Sequence, residues 1–328
     1  MKLQEIYAPI SDELKTVHVL IQDALEKTPL KPLREINQYI IANPGKRLRP
    51  TLAILAFKAV AASGLSDKKI LETAASLELI HMASLIHDDI IDKADLRHNK
   101  PSVNAKWGAE IAIPMGVYLY SISLQFMASV GSVTVLRHVS HTVKHLCEGE
   151  MTQIFERDNV QLNILKYLVI LKKKTAVLFG AACYSGGLLA GADKKTCFKL
   201  KAFGYNLGMV FQIIDDYLDI MGETKKLGKA SGQDFFLGEF TLPMLYLIDA
   251  SSDSEKQEVL EMVASKDLTI LPTLQTRLIE SHALERTKKL ALTYLDKARE
   301  TLSEMSESPY KQALMDLTYF ISTRGFEA

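Results

Sequence analysis

The sequence predicts an all-α fold in a single domain spanning residues 1–328, and three observations carry that expectation. Strand signals are poor: no Asn-Gly or Asp-Gly hairpin turn occurs, and period-two alternation between turn residues is nearly absent. Two long runs carry no formal charge, Ile111 to Leu136 (26 residues) and Thr175 to Ala192 (18 residues). Connections are short, and no stretch is rich enough in Pro, Ser or Gly to act as an interdomain linker.

In chain order, a helical run centres near Leu20. Pro50, a favoured first helical residue, opens a second that runs through Thr51 to Phe57 and stops toward Gly64. Ser66-Asp67 reads as the N-cap of a long apolar helix from about Lys68 to Asp92. Further runs centre near Leu119, Leu146, Val169, Leu188, Ile214, Leu245, Leu260, Leu278, Ala291 and Leu314. Both uncharged runs are long enough to span a membrane. The first, however, holds Pro114, Gly116, Gln125, Gly131 and four serines, and the second Gly180, Gly186, Gly187 and Gly191. They read instead as core helices, apolar on all sides.

The chain holds 39 Lys+Arg against 39 Asp+Glu, with 48% hydrophobic and 24% charged residues. That balance excludes a disordered or collagen-like chain and gives no global field to gather nucleic acid or an anionic membrane. A polyanionic ligand must be gathered locally. Cys147, Cys183 and Cys197 have no metal spacing, and the N-terminus lacks the apolar core of a signal peptide, so a cytoplasmic location is expected.

One short pattern occurs twice: Asp88-Asp89-Ile90-Ile91-Asp92 and Asp215-Asp216-Tyr217-Leu218-Asp219. On a helix, residues four apart stack about 6 Å apart on one face, so each motif presents two carboxylates one above the other with a third beside them. A single motif would read equally well as a solvated acidic face. Two of them, each following an apolar run, read otherwise, because buried carboxylates need compensating cations. Hard oxygen ligands in this number suit Mg²⁺, with Mn²⁺ as the alternative, and phosphate oxygens would complete the metal shell.

Around these motifs the sequence resembles the trans-type polyprenyl diphosphate synthases over essentially its whole length. Gly45-Lys46-Arg47-Leu48-Arg49-Pro50 resembles the family's first basic motif, and His81 precedes the first acidic motif. Arg97 with Lys100-Pro101-Ser102 follows it, then Glu148-Gly149-Glu150-Met151 with Gln153, Lys174-Thr175, and Phe211-Gln212. Gly228-Lys229, Gly232, Asp234 and Thr241-Leu242-Pro243 complete the series. Singly several are weak; the ordered set is specific.

The resemblance implies the isoprenoid synthase fold, a helical bundle around a central cavity. It implies a head-to-tail condensation in which an allylic diphosphate ionises and isopentenyl diphosphate attacks the carbocation. Asp88, Asp92 and Asp215 would ligand Mg²⁺, with Asp89, Asp216 and Asp219 in support. Arg97, Lys174 and Lys229 would hold the allylic diphosphate; Gly45, Lys46, Arg49 and His81 would hold isopentenyl diphosphate. Thr175 and Gln212 would lie near the carbocation. Arg47, between the inward-facing pair, is expected at the surface, and His87 as a packed core histidine. A homodimer is implied, and release of product at a membrane is compatible with it.

Three positions depart from the family pattern. His98 stands where a second arginine is usual, so a cation of the isopentenyl diphosphate site becomes one that is charged only part of the time near neutral pH. Val117 removes a carboxylate, and Glu239 replaces a lysine. Ala83 and Ser84, five and four residues before Asp88, are small where an aromatic side chain would close the product tunnel early, which implies a product of C30 or longer, as for a quinone side chain. The competing readings are a short-chain (C15–C20) synthase, a non-catalytic or regulatory subunit of a heteromeric synthase, and a terpene cyclase. A cyclase has no use for the isopentenyl diphosphate residues Lys46, Arg49 and His81.

Overall fold

The computed structural model describes residues 2–97, 99–222 and 232–326, with side chains to residue 323. His98 and Lys229, with Gly228, therefore lie outside the described residues. The chain runs α1 (Leu3–Tyr7), α2 (Ser11–Glu26), α3 (Lys31–Ile41), α4 (Leu48–Lys58) and α5 (Lys68–Ile91). A hairpin follows, β1 (Leu96–Arg97) and β2 (Lys100–Pro101), antiparallel with Arg97 opposite Lys100. Then come α6 (Val103–Trp107), α7 (Ala109–Val130), α8 (Val133–Phe155), α9 (Ile164–Leu171), a π-helical segment (Lys172–Ala176), α10 (Val177–Leu189) and α11 (Lys194–Met221). The C-terminal part holds α12 (Gln233–Phe236), α13 (Leu242–Ala250), α14 (Asp253–Ser265), α15 (Leu271–Glu280), α16 (Ala283–Thr301) and α17 (Pro309–Phe326).

Every predicted helical centre falls inside a helix, but one start differs. The basic motif enters α4 through Arg47 in the left-handed region (φ 53°), and the helix begins at Leu48, so Pro50 occupies its third position. An imino nitrogen is tolerated there because the first-turn N–H groups have no helical acceptor. The long helix begins after Asp67 as expected, with Ser66 Oγ accepting from Lys68 N at 3.4 Å.

Helix α4 is buried from Leu48 through Phe57 and lies against α10, which in turn packs on α11; α5 packs along α7. The contact of α10 with α4 is backbone against backbone. A Cβ at Gly186 would stand 2.5 Å from Ala53 O and 2.8 Å from Phe57 N, closer than atoms pack. The uncharged run Thr175 to Ala192 is thus a core element, as predicted.

The other uncharged run is only half covered. α7 is the one helix among the described residues long and apolar enough to cross a membrane, and 39% of its apolar window is buried. Ile113, Val117 and Leu124 line its outer face, 52%, 57% and 41% exposed. Val117 thus points outward and is not among the residues lining the cavity, so the carboxylate missing at this position belongs to the outer surface of α7. His87 fills the opposite face of the same helix. Its ring sits where a Cβ on Gly116 would be 2.2 Å from Nε2, and that nitrogen is 3.1 Å from Ile113 O.

Candidate active site

The C-terminal half of α5, the hairpin, the start of α4, the π segment and α11 enclose a cavity of about 320 Å³. Gly45, Lys46, Arg49, His81, Ser84, Asp88, Asp89, Arg97, Lys174, Thr175, Gln212 and Asp215 all line it, although they come from sequence 170 positions apart. Asp92, Asp216 and Asp219 are not among its lining residues; Asp216 lines a smaller cavity next to it, with Lys174 and Gln212. Ala83 is turned into the packed core, while Ser84 faces the cavity.

Cations from three elements line the cavity. Arg49, 8% exposed, spans 2.9 Å from Nη1 to His81 Nε2 and lies over the Phe179 ring at 4.7 Å. Burial pulls its pKa down to about 10, and Glu78, Asp88 and Asp215 oppose the fall. Its Nε has no hydrogen-bond partner among the described residues. A buried guanidinium with donors to spare is suited to an anion. Arg47, expected at the surface, also lines the cavity and reaches His18 Nδ1 at 2.8 Å. The left-handed turn at Arg47 alters the direction of its side chain, which a helical projection does not anticipate. Glu78, one turn before His81, lines the same cavity at 5% exposure and went unmarked in sequence; a carboxylate set between the apolar Leu77 and Leu79-Ile80 was its signal.

Both acidic motifs bring carboxylates to the same cavity, Asp88 and Asp89 from the first and Asp215 from the second. Burial pushes the Asp88 carboxyl well above the usual range; Lys174 pulls it back, while Glu150 and Asp92 push it further. Asp89 is held by Arg97 in a fork, with contacts of 2.9, 2.9 and 2.6 Å. Asp216 accepts from Tyr167 Oη and, at 2.8 Å, from Gln212 Nε2. Asp219 accepts from Asp234 N at 3.0 Å. Burial pushes the Asp216 carboxyl up as well, against the donation from Tyr167 and Gln212.

Lys174 lies among these carboxylates. The π segment carries one residue more per turn than an α-helix, and π-helical turns recur at functional sites because they redirect side chains. Here Lys174 and its neighbour Thr175 both line the cavity. α8 approaches this segment closely through Gly149, where a Cβ would meet Lys174 N at 2.6 Å. The next residue, Glu150, therefore reaches Lys174 Nζ at 2.8 Å. Burial alone would lower the lysine pKa, but Glu150, Asp88, Glu239 and Asp92 hold it above the ordinary value. Lys174 is charged whenever the protein is folded near neutrality.

A divalent cation fits this donor set. The oxygens are hard, Asp88 and Asp215 face one cavity, and the charge crowding on Asp88 would be relieved by a cation. Among the described residues no three acidic, His or Cys side chains converge as a ready-made cage. Water and the phosphate oxygens of a substrate would have to supply the rest of such a cation's shell.

A family model described as polyprenyl synthetase matches residues 30–271. The chain is 35% identical to heptaprenyl diphosphate synthase component 2 of Geobacillus stearothermophilus over 327 residues, covering 99% of this chain and 100% of the relative. It is 31% identical to octaprenyl diphosphate synthase of Escherichia coli, covering 99% of each. A crystal structure of a polyprenyl synthase from Caulobacter crescentus, complexed with calcium and isoprenyl diphosphate, superposes with a TM-score of 0.93 at 30% identity, covering 99% of this chain and 98% of that one.

Proposed function

The chain belongs to the polyprenyl synthetase family of prenyltransferases, and on that premise we propose that it is a long-chain trans-polyprenyl diphosphate synthase. The observation that carries the reading is that Arg49 and His81 share one cavity with Asp88, Asp215 and Lys174. Two anionic groups can be held there with apolar chain between them. Lys46, Arg49 and His81 would bind isopentenyl diphosphate; Lys174, with Arg97, would bind the allylic diphosphate.

Asp88, Asp92 and Asp215 would hold the divalent metal, Mg²⁺ or alternatively Mn²⁺, which stabilises the charge growing on the departing diphosphate. Lys174 adds a fixed positive charge in a site shielded from water, where such charge acts most strongly. The hydroxyl of Thr175 and the amide of Gln212 lie on the cavity wall and would face the cation formed on the allylic carbon.

Relatives at similar distance carry names for products of different length. The small side chain of Ser84 on the cavity wall supports a product of C30 or longer. The test is turnover by the purified chain with Mg²⁺, farnesyl diphosphate and labelled isopentenyl diphosphate, with the product sized. Products of C15–C20 would overturn the long-chain reading, and no turnover by the chain alone would support the second one.

That second reading is a subunit that needs a different partner chain, favoured by the word "component" in the name of the 35% relative. The homodimer remains the first proposal, with the stripe of Ile113, Val117 and Leu124 on α7 covered by a second copy. Leu124→Arg should convert the dimer to monomer in light scattering; a monomeric parent chain would sink this.

A further inference from the structure

Glu239 stands where the family resemblance places a lysine, and the structure brings a cation to it from another element. Beyond the end of α8 the chain turns through Asp158 (φ 57°), whose N donates to Gly238 O at 2.8 Å. This main-chain bond fixes the residue before Asp158 against the residue after Gly238. Arg157 therefore faces Glu239 and donates from Nε to Oε1 at 2.8 Å. Its Nη2 reaches Asp92 Oδ1, also at 2.8 Å. Gln153 donates to the other oxygen of Glu239. The Arg157, Glu239 and Asp92 side chains are 19%, 7% and 25% exposed, so solvent screens the triad little.

One guanidinium is thus shared between two carboxylates, one of which closes the first acidic motif. Resting on the metal reading above, we propose that Arg157, positioned by Glu239, competes with the divalent cation for Asp92 and sets the metal affinity of the first acidic motif. An oxygen of Asp92 is already engaged by a charged donor, which an incoming cation must displace or share. Glu239 moderates the competition: it neutralises Arg157 and draws its Nε away from the motif. Where the resemblance places a lysine, the positive charge beside Asp92 thus comes from Arg157.

The experiment titrates the substrate-free protein with Mn²⁺, following free ion by paramagnetic resonance. No binding by the parent chain, either alone or with an unreactive allylic thiodiphosphate bound to supply the phosphate oxygens, would sink the metal reading itself. Given parental binding, Arg157→Gln should tighten it roughly 3- to 10-fold, the direction expected on removing a cation beside a metal ligand. Glu239→Gln should loosen it by a similar factor, because the guanidinium is left uncompensated against Asp92. Arg157→Lys, which keeps charge but loses the fork, should fall between parent and Arg157→Gln. A purely structural role would loosen binding in all three. Unchanged or weaker binding in Arg157→Gln overturns the proposal. If that variant does not fold, affinity of Arg157→Lys at or below the parent's overturns it instead.

Discussion

Thr175 Oγ1 donates to Gln212 Oε1 at 2.7 Å, so the hydroxyl's proton is spent within the wall and its lone pairs are left for the cavity. The orientation is enforced from behind. Asp216 accepts from Gln212 Nε2 and from Tyr167 Oη, so the amide nitrogen is turned to the carboxyl and the amide oxygen to Thr175. Tyr167, 4% exposed on α9, is therefore a positioning residue two bonds removed from the cavity. Tyr167→Phe should lower kcat roughly 10-fold with KM for both substrates nearly unchanged, the pattern of an interaction that matters in the transition state. A KM-only effect in steady-state kinetics would contradict it.

The crowded carboxylates predict a pH effect on the substrate-free, metal-free protein. Asp88 and Asp216 have folded pKa values above those of the unfolded chain, so the native state favours their protonated forms. Their contribution to stability is fully present below about pH 4 and is lost as pH rises through the raised values. Other acids shift oppositely, so the contrast is read by variant. Asp88→Asn should raise the melting temperature at pH 7.5 by a few degrees, do little at pH 4, and abolish turnover. Equal shifts at both pH values in scanning calorimetry would refute the assignment.

The Lys174–Glu150 pair, 2.8 Å apart with side chains 21% and 14% exposed, predicts an asymmetry. Lys174→Met removes one partner and leaves Glu150 without its cation beside Asp88, at a cost of about 3 kcal/mol. Adding Glu150→Gln should recover at least about 1 kcal/mol in denaturant unfolding while activity stays lost. Additive losses in the double variant would mean that the pair is not coupled.

Ser84 and Ala83 separate two consequences of enlarging a side chain on one helix. Ser84→Phe projects into the cavity and should shorten the product by two or more isoprene units, with the fold unchanged. Ala83, 5% exposed within the core, has no such space, and Ala83→Phe should cost about 1–3 kcal/mol through overpacking. Product sizing beside thermal melts of both variants distinguishes these outcomes.

Helix positions were legible because apolar runs and punctuation by Pro, Gly and Asp act locally. The acidic motifs were legible for the same reason, since four-residue spacing on a helix survives into three dimensions. What escaped was direction. Arg47 is aimed inward by a left-handed turn that no periodicity encodes. Arg157 and Glu239 meet across 82 positions through a main-chain bond between two loops. The outer face of α7 was missed because composition alone does not separate a helix covered on every side from one covered on half.

The π-helical turn at Lys172–Ala176 has a further consequence, for the phase of the chain. One extra residue rotates everything after it by about 100° relative to everything before. α9 and α10 are therefore two helices in different frames, although they are continuous along the axis. Tyr167 is set in the first frame and the buried face of α10 in the second. Removal of a single residue from this turn would bring the frames into register and swing one set of side chains out of place, although no chemical group of the site had been deleted.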